Sequence, residues 1–180
     1  MSEIKAFNSW GAEGISVDDA GLQAYITVQP RIVPKTGAMY AGKSFYKSKK
    51  HFKTSGRITG KAPTAYGIVE ETFRHIEKTL KENPIKVLVK AIENAAQREE
   101  IITIEYGGAR YPKAVECSPQ RRVDLALRHL TQGAYHKSFN TKKPIVSSLA
   151  DEIMGAYRLS SASTAIAKKL EIERQADSSR

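Results

Sequence analysis

Residues 101–130, IITIEYGGARYPKAVECSPQRRVDLALRHL, change period twice. Ile102, Ile104 and Tyr106 alternate with Thr103 and Glu105, Gly107-Gly108 supplies the positive φ angles of a tight turn, and an extended run returns to Cys117. The spacing predicts a β-hairpin over 101–117. Pro112 cannot donate a ladder hydrogen bond, but each strand of a two-stranded ribbon has a free edge, so the assignment stands. Ser118 and Pro119 then read as N-cap and first residue of a helix. Val123, Leu127 and Leu130 are its expected buried stripe, and Gly133 is placed to stop it. A lone ribbon is only marginally stable in water, so it should lean on the helices at its base and gain order at its tip from a partner.

Outward from this stretch the period is helical. Tyr66, Val69, Phe73, Ile76 and Leu80 recur at spacings of three and four, a stripe that Thr64 could cap. Asn83 and Pro84 end that helix and begin another, whose expected buried face is Ile85, Leu88, Ile92 and Ala95. Downstream, Pro144 to about Tyr157 should bury Ile145, Leu149 and Ile153. Ser161 to about Arg174 carries Ile166 and Leu170, with Lys168, Lys169 and Arg174 outward. The expected fold is mainly α: a helical bundle of five to six helices with a protruding β-hairpin and an extended basic N-terminal arm. Residues 1–61 would form the extension and arm, and 62–180 the helical domain. Nothing repeats internally, which argues against a solenoid.

Charge is distributed unevenly. Between Asp19 and Glu70 there is no acidic residue, while Arg31, Lys35, Lys43, Lys47, Lys49, Lys50, Lys53, Arg57 and Lys61 supply nine of the ten net positive charges of the 180-residue chain. So basic a segment repels itself and implies a polyanionic partner. Tyr40, Phe45, Tyr46 and Phe52 lie among the cations and suit stacking on unpaired bases. Gly42, Gly56 and Gly60 interrupt the apolar helical face that a membrane arm would need, and a disordered basic linker is the bland alternative.

Two further clusters fit RNA. Ser118-Pro119-Gln120-Arg121-Arg122 places two arginines in a helix first turn, where the dipole disfavours cations unless a phosphate meets the free N–H groups. Arg128 extends that strip. The alternative is a solvated helix end in which Asp124 pairs with Arg121 and Arg128. Arg110, Tyr111 and Lys113 near the hairpin tip form either an RNA probe or a protein-docking arm.

Enzyme classes find little support. Gly56-Arg57-Ile58-Thr59-Gly60-Lys61-Ala62 has one residue too few between its glycines for a phosphate loop, and Ala62 stands where a magnesium-binding hydroxyl belongs. His51, His75, His129 and His136 lack metal spacing, and Cys117 is the single cysteine. No cofactor, metal or catalytic residue is expected. No apolar run is long enough for a membrane span and the start lacks signal-peptide organisation, so the expected place is the cytoplasm.

Assembled, the segments resemble the family of small-subunit ribosomal protein seven. The resemblance is carried by Asn83-Pro84-Ile85 through Ala91-Ile92-Glu93-Asn94-Ala95, by Tyr106-Gly107-Gly108, and by Ser118 through Asp124. Ala134-Tyr135, Ala150-Asp151-Glu152-Ile153 and Ala165-Ile166-Ala167-Lys168-Lys169 add to it. Asp19-Ala20-Gly21-Leu22 and Arg31-Ile32-Val33-Pro34 look like the leader of its archaeal and eukaryotic forms. The resemblance implies no enzyme. It implies a protein that binds the 3′ major domain of small-subunit rRNA, nucleates head assembly and lines the exit (E) site in the cytoplasmic ribosome. Its hairpin would lie near tRNA and mRNA, the Arg121-Arg122 turn on rRNA phosphates, and Lys168 and Lys169 near the tRNA side and neighbouring head or platform proteins. A helical DNA-binding regulator reading a groove with the Arg121 helix is the alternative from another class. One departure stands out: where the family has an amphipathic helix before the Tyr66 helix, Ser44 to Gly60 offers only basic and small residues. Leu170, in place of an expected charged residue, is a smaller one.

Overall fold

Asn83 joins three pieces of the computed structural model, which describes residues 5–26 and 62–179. Its side-chain oxygen accepts from the Ile85 N–H at 3.0 Å, capping a helix with Pro84 in its first turn. Its amide nitrogen donates to the Gly11 carbonyl at 2.8 Å and so ties down the leader. The basic cluster from Arg31 to Lys61 and the departure at Ser44 to Gly60 lie outside the described residues.

The order is α1 (Ala62–Leu80), α2 (Pro84–Ala95), β1 (Glu99–Tyr106), β2 (Ala109–Glu116), α3 (Pro119–Ser138), α4 (Ile145–Tyr157) and α5 (Thr164–Ser178). The described residues are thus mainly helical, with one antiparallel hairpin, as the periodicity predicts. α4 packs against α1, α2 and α3, and α5 leans on the hairpin base. Phe73, Ile76, Val87, Ile92, Leu130 and Ile153 anchor one core, with alanines 91, 126, 150 and 156 allowing close helix approach.

Several expected stripes shift. Val87 and Ala91 are more deeply buried than Ile85 and Leu88, because α2 is covered on several sides. Tyr66, Leu127 and Leu170 are exposed: each continues an apolar spacing beyond the surface that a neighbouring helix covers. Thr64 is already inside α1 and is no cap.

Gly133 does not end α3, which continues to Ser138. A Cβ there would lie 2.8 Å from the Thr164 side chain and 3.0 Å from the Glu152 carboxyl carbon, so the glycine permits close packing against α5. α5 begins at Thr164 rather than Ser161, since residues 158–163 first close α4. Leu159 takes a left-handed φ of 54°, and Ser160 N–H donates back to the Gly155 carbonyl at 2.9 Å.

The leader is no free arm over residues 5–26. Trp10 is 5% exposed and belongs to the core, and Leu22 is fully buried. Phe7 and Trp10 meet Phe73 edge to face, with ring centroids 5.7 and 5.6 Å away.

Candidate nucleic-acid interface

The hairpin pairs Ile102 with Lys113, Ile104 with Tyr111, Glu105 with Arg110 and Tyr106 with Ala109. Gly107 and Gly108 both have positive φ (58° and 84°), which sets this register through a two-residue turn. The ladder reaches back to Glu99, two residues beyond the expected start, and Cys117 follows it, buried, its N–H donating to the Arg98 carbonyl. Because side chains alternate across the ribbon, Tyr111 and Lys113 share a face with Ile102, Ile104 and Tyr106, while Arg110 lies opposite with Glu105 and Pro112. The tip trio is therefore split. All three of its members are exposed, and the Arg110–Glu105 pair, 3.9 Å apart and mostly in solvent, is weak.

The first turn of α3 divides its two arginines. Arg121 pairs with Glu100 at 2.7 Å and remains half exposed. Arg122 is 12% exposed: it donates to Asp19 at 2.7 Å and to the Gln97 carbonyl at 3.2 Å. Asp124, the partner of Arg121 and Arg128 in the alternative reading, accepts from Gln120 at 3.1 Å. Ser118 stands at the cap position, exposed, without a side-chain capping bond.

The leader supplies the counter-charges here. Glu93 is almost buried and accepts from the backbone N–H groups of Asp18 and Asp19, at 2.5 and 3.2 Å. Lys90 bridges Asp18 and Glu93. Sequence reading missed this clasp, because its partners stand more than 70 positions apart.

The Arg122 guanidinium holds the Asp19 carboxyl below its ordinary value of 3.8. A carboxylate with a lowered folded pKa stabilises the fold above its unfolded pKa, and that contribution is lost as pH falls through the folded value. Asp19→Asn should therefore shrink the difference in stability between neutral pH and about pH 3, measured by urea denaturation across pH. A variant whose acid limb matches the wild type would rule out the clasp as a source of that loss.

On α5, Lys168 is exposed and pairs with Glu171 at 2.6 Å. Lys169 does not point outward: it donates to the Asn94 carbonyl at 2.8 Å, and burial pushes its ammonium below the usual lysine range. Burial also holds the His129 imidazole below its ordinary value, with Lys168 and Arg128 adding to the effect. Arg128 itself is exposed.

Among the described residues no group of three His, Cys, Asp or Glu side chains could hold a metal ion, and no helix is long and apolar enough to cross a membrane.

The sequence profile of "Ribosomal protein S7p/S5e" matches residues 22–180. The chain belongs to this ribosomal protein family. It is a structural protein of the small ribosomal subunit and not an enzyme. The small ribosomal subunit protein uS7 of Nanoarchaeum equitans is 48% identical over 197 residues, covering 99% of this chain and 100% of the relative. Those of Methanothrix thermoacetophila and Archaeoglobus fulgidus are 41% and 42% identical, covering 98% and 99% of this chain and 100% and 96% of the relatives. The first match spans more positions than the 180 of this chain, so that family member carries residues without a counterpart here.

Proposed function

We infer that this family member binds the 3′ major domain of small-subunit rRNA, nucleates assembly of the subunit head and lines the E site beside tRNA and mRNA. The carrying observation is the hairpin. Its outer part, with Ile102, Ile104, Tyr106 and Tyr111, is exposed on both strands. A free-standing apolar ribbon is poorly stable in water and needs an external surface to order its tip. Lys113 on the same face and Arg110 on the other suit that surface to RNA. The cations of Arg31, Lys35, Lys43, Lys47, Lys49, Lys50, Lys53, Arg57 and Lys61 support rRNA contact by their charge. In the helical domain Arg121, Arg128 and Lys168 are the better contacts, since Arg122 and Lys169 are held within the fold. Neighbouring head and platform proteins would complete the surroundings. The groove-reading regulator is disfavoured, because the family match covers residues 22–180 and is to a ribosomal protein.

Deleting Gly107 to Pro112 tests the division of labour. Binding to a 3′ major domain transcript should remain within a few-fold of wild type, while reconstituted subunits lose E-site tRNA or mRNA positioning. Loss of all rRNA binding by a folded deletion would contradict this reading.

A further inference from the structure

The helix α3 carries a feature beyond its cationic start. Arg121, Arg128 and Tyr135 recur every seven residues, so they drift by only about 20° per step around the helix and rise about 10 Å per step. All three are exposed, on the side away from the buried stripe of Ala126, Leu130 and Ala134. At the end of the strip Tyr135 and Phe139 lie one turn apart, with ring centroids 5.4 Å apart and tilted by 35°. They are 53% and 64% exposed, although the core is within reach of the same helix.

We propose that Tyr135 and Phe139 form a stacking platform for an unpaired RNA base, at the far end of a track that begins at Arg121 and Arg128. The proposal rests on the rRNA-binding reading above and deepens it. Three features favour a base over a protein side chain. The pair is flanked by basic side chains: Arg128 about two helical turns before it, His136 beside Tyr135, and Lys142 and Lys143 in the following loop. Lys143 is paired with Asp151, whereas no ion pair takes Lys142 among the described residues. The rings also lack an aliphatic surround on their own helix, where the next exposed aliphatic residue is Leu127, two turns away. Finally, the C-terminal carbonyls of a helix repel phosphate, so recognition there falls to base faces, with Lys142 meeting the adjoining backbone.

The test uses the full chain and a 3′ major domain transcript. Both rings are exposed, so Tyr135→Ala/Phe139→Ala should retain wild-type circular dichroism and melting. Its affinity should fall about 5- to 150-fold, the range for losing one base stack. The slope of log affinity against log salt should not change, because no phosphate contact is removed. Tyr135→Phe/Phe139→Tyr should bind as wild type, and a photo-crosslinker at position 139 should attach to RNA in reconstituted subunits. Equal binding by the alanine variant, or a crosslink to protein instead, would overturn the platform and leave rRNA binding intact. A wild-type chain that does not bind the transcript would remove both readings.

Discussion

Glu152→Ala is expected to destabilise the free protein by about 2–4 kcal/mol, at about 1–3 kcal/mol for each enclosed donor that loses its acceptor. The Glu152 side chain is fully buried on α4 and receives donors from two other helices. Lys137 of α3 lies at 2.6 Å. Ser163 Oγ, the Thr164 N–H and Thr164 Oγ1 each donate at 2.9 Å. Ser163 is the cap residue of α5 but makes no side-chain capping bond, so Glu152 satisfies the first orphan N–H of that helix from outside. Alanine would leave the buried Ser163 hydroxyl and the half-buried Thr164 donors without this acceptor, while Lys137 keeps the Ala162 carbonyl at 2.8 Å. Glu152→Gln keeps one acceptor oxygen and should lose less. Gly133→Ala offers an independent probe of the same junction, since its Cβ would press on Thr164 and Glu152 and should cost about 1–3 kcal/mol by overpacking. Urea midpoints at constant m-value report all three. A loss below about 1 kcal/mol for Glu152→Ala would show that α5 docks without this network.

Trp10→Ala is the second large effect, expected at about 3–5 kcal/mol as for other buried aromatic truncations. The Trp10 ring sits edge-on to Phe7 and Phe73, at 5.9 and 5.6 Å, and Phe7 continues the cluster to Tyr66 at 4.4 Å. Reciprocal backbone hydrogen bonds between Ala6 and Trp10 pin the ring's own segment. With the anchor gone, backbone amides of residues 5–26 should exchange with solvent faster than those of α2 and α4. A variant that unfolds at the wild-type urea midpoint would mean that the leader rests on the bundle without stabilising it.

Local periodicity made much of this architecture legible. Gly107-Gly108 between alternating runs could be little other than a hairpin, and Asn83-Pro84 marked the α2 start to the residue. The stripes were read less well at their ends. Tyr66, Leu127 and Leu170 keep helical spacing, but burial depends on how far a neighbouring helix extends, and spacing carries no such information. Gly133 misled for a related reason: glycine both ends helices and lets helices touch, and Thr164 decides between the two.

The candidate interface shows the same boundary. Net charge, the acid-free run from Ala20 to Val69 and the hairpin's tip residues are properties of the chain in order, and they suffice to indicate a polyanion. Which cations remain available is a different matter. Arg121 and Arg122 are adjacent and chemically identical, yet one stays half in solvent while the other is enclosed by Asp19, 103 residues away. Lys168 and Lys169 part in the same manner. Sequence by itself determined the element order, the turn and the sign of the partner, because these follow from neighbours a few residues apart. The tertiary structure decided which charges are consumed internally and which face outward, because desolvation and pairing depend on groups that only folding brings together.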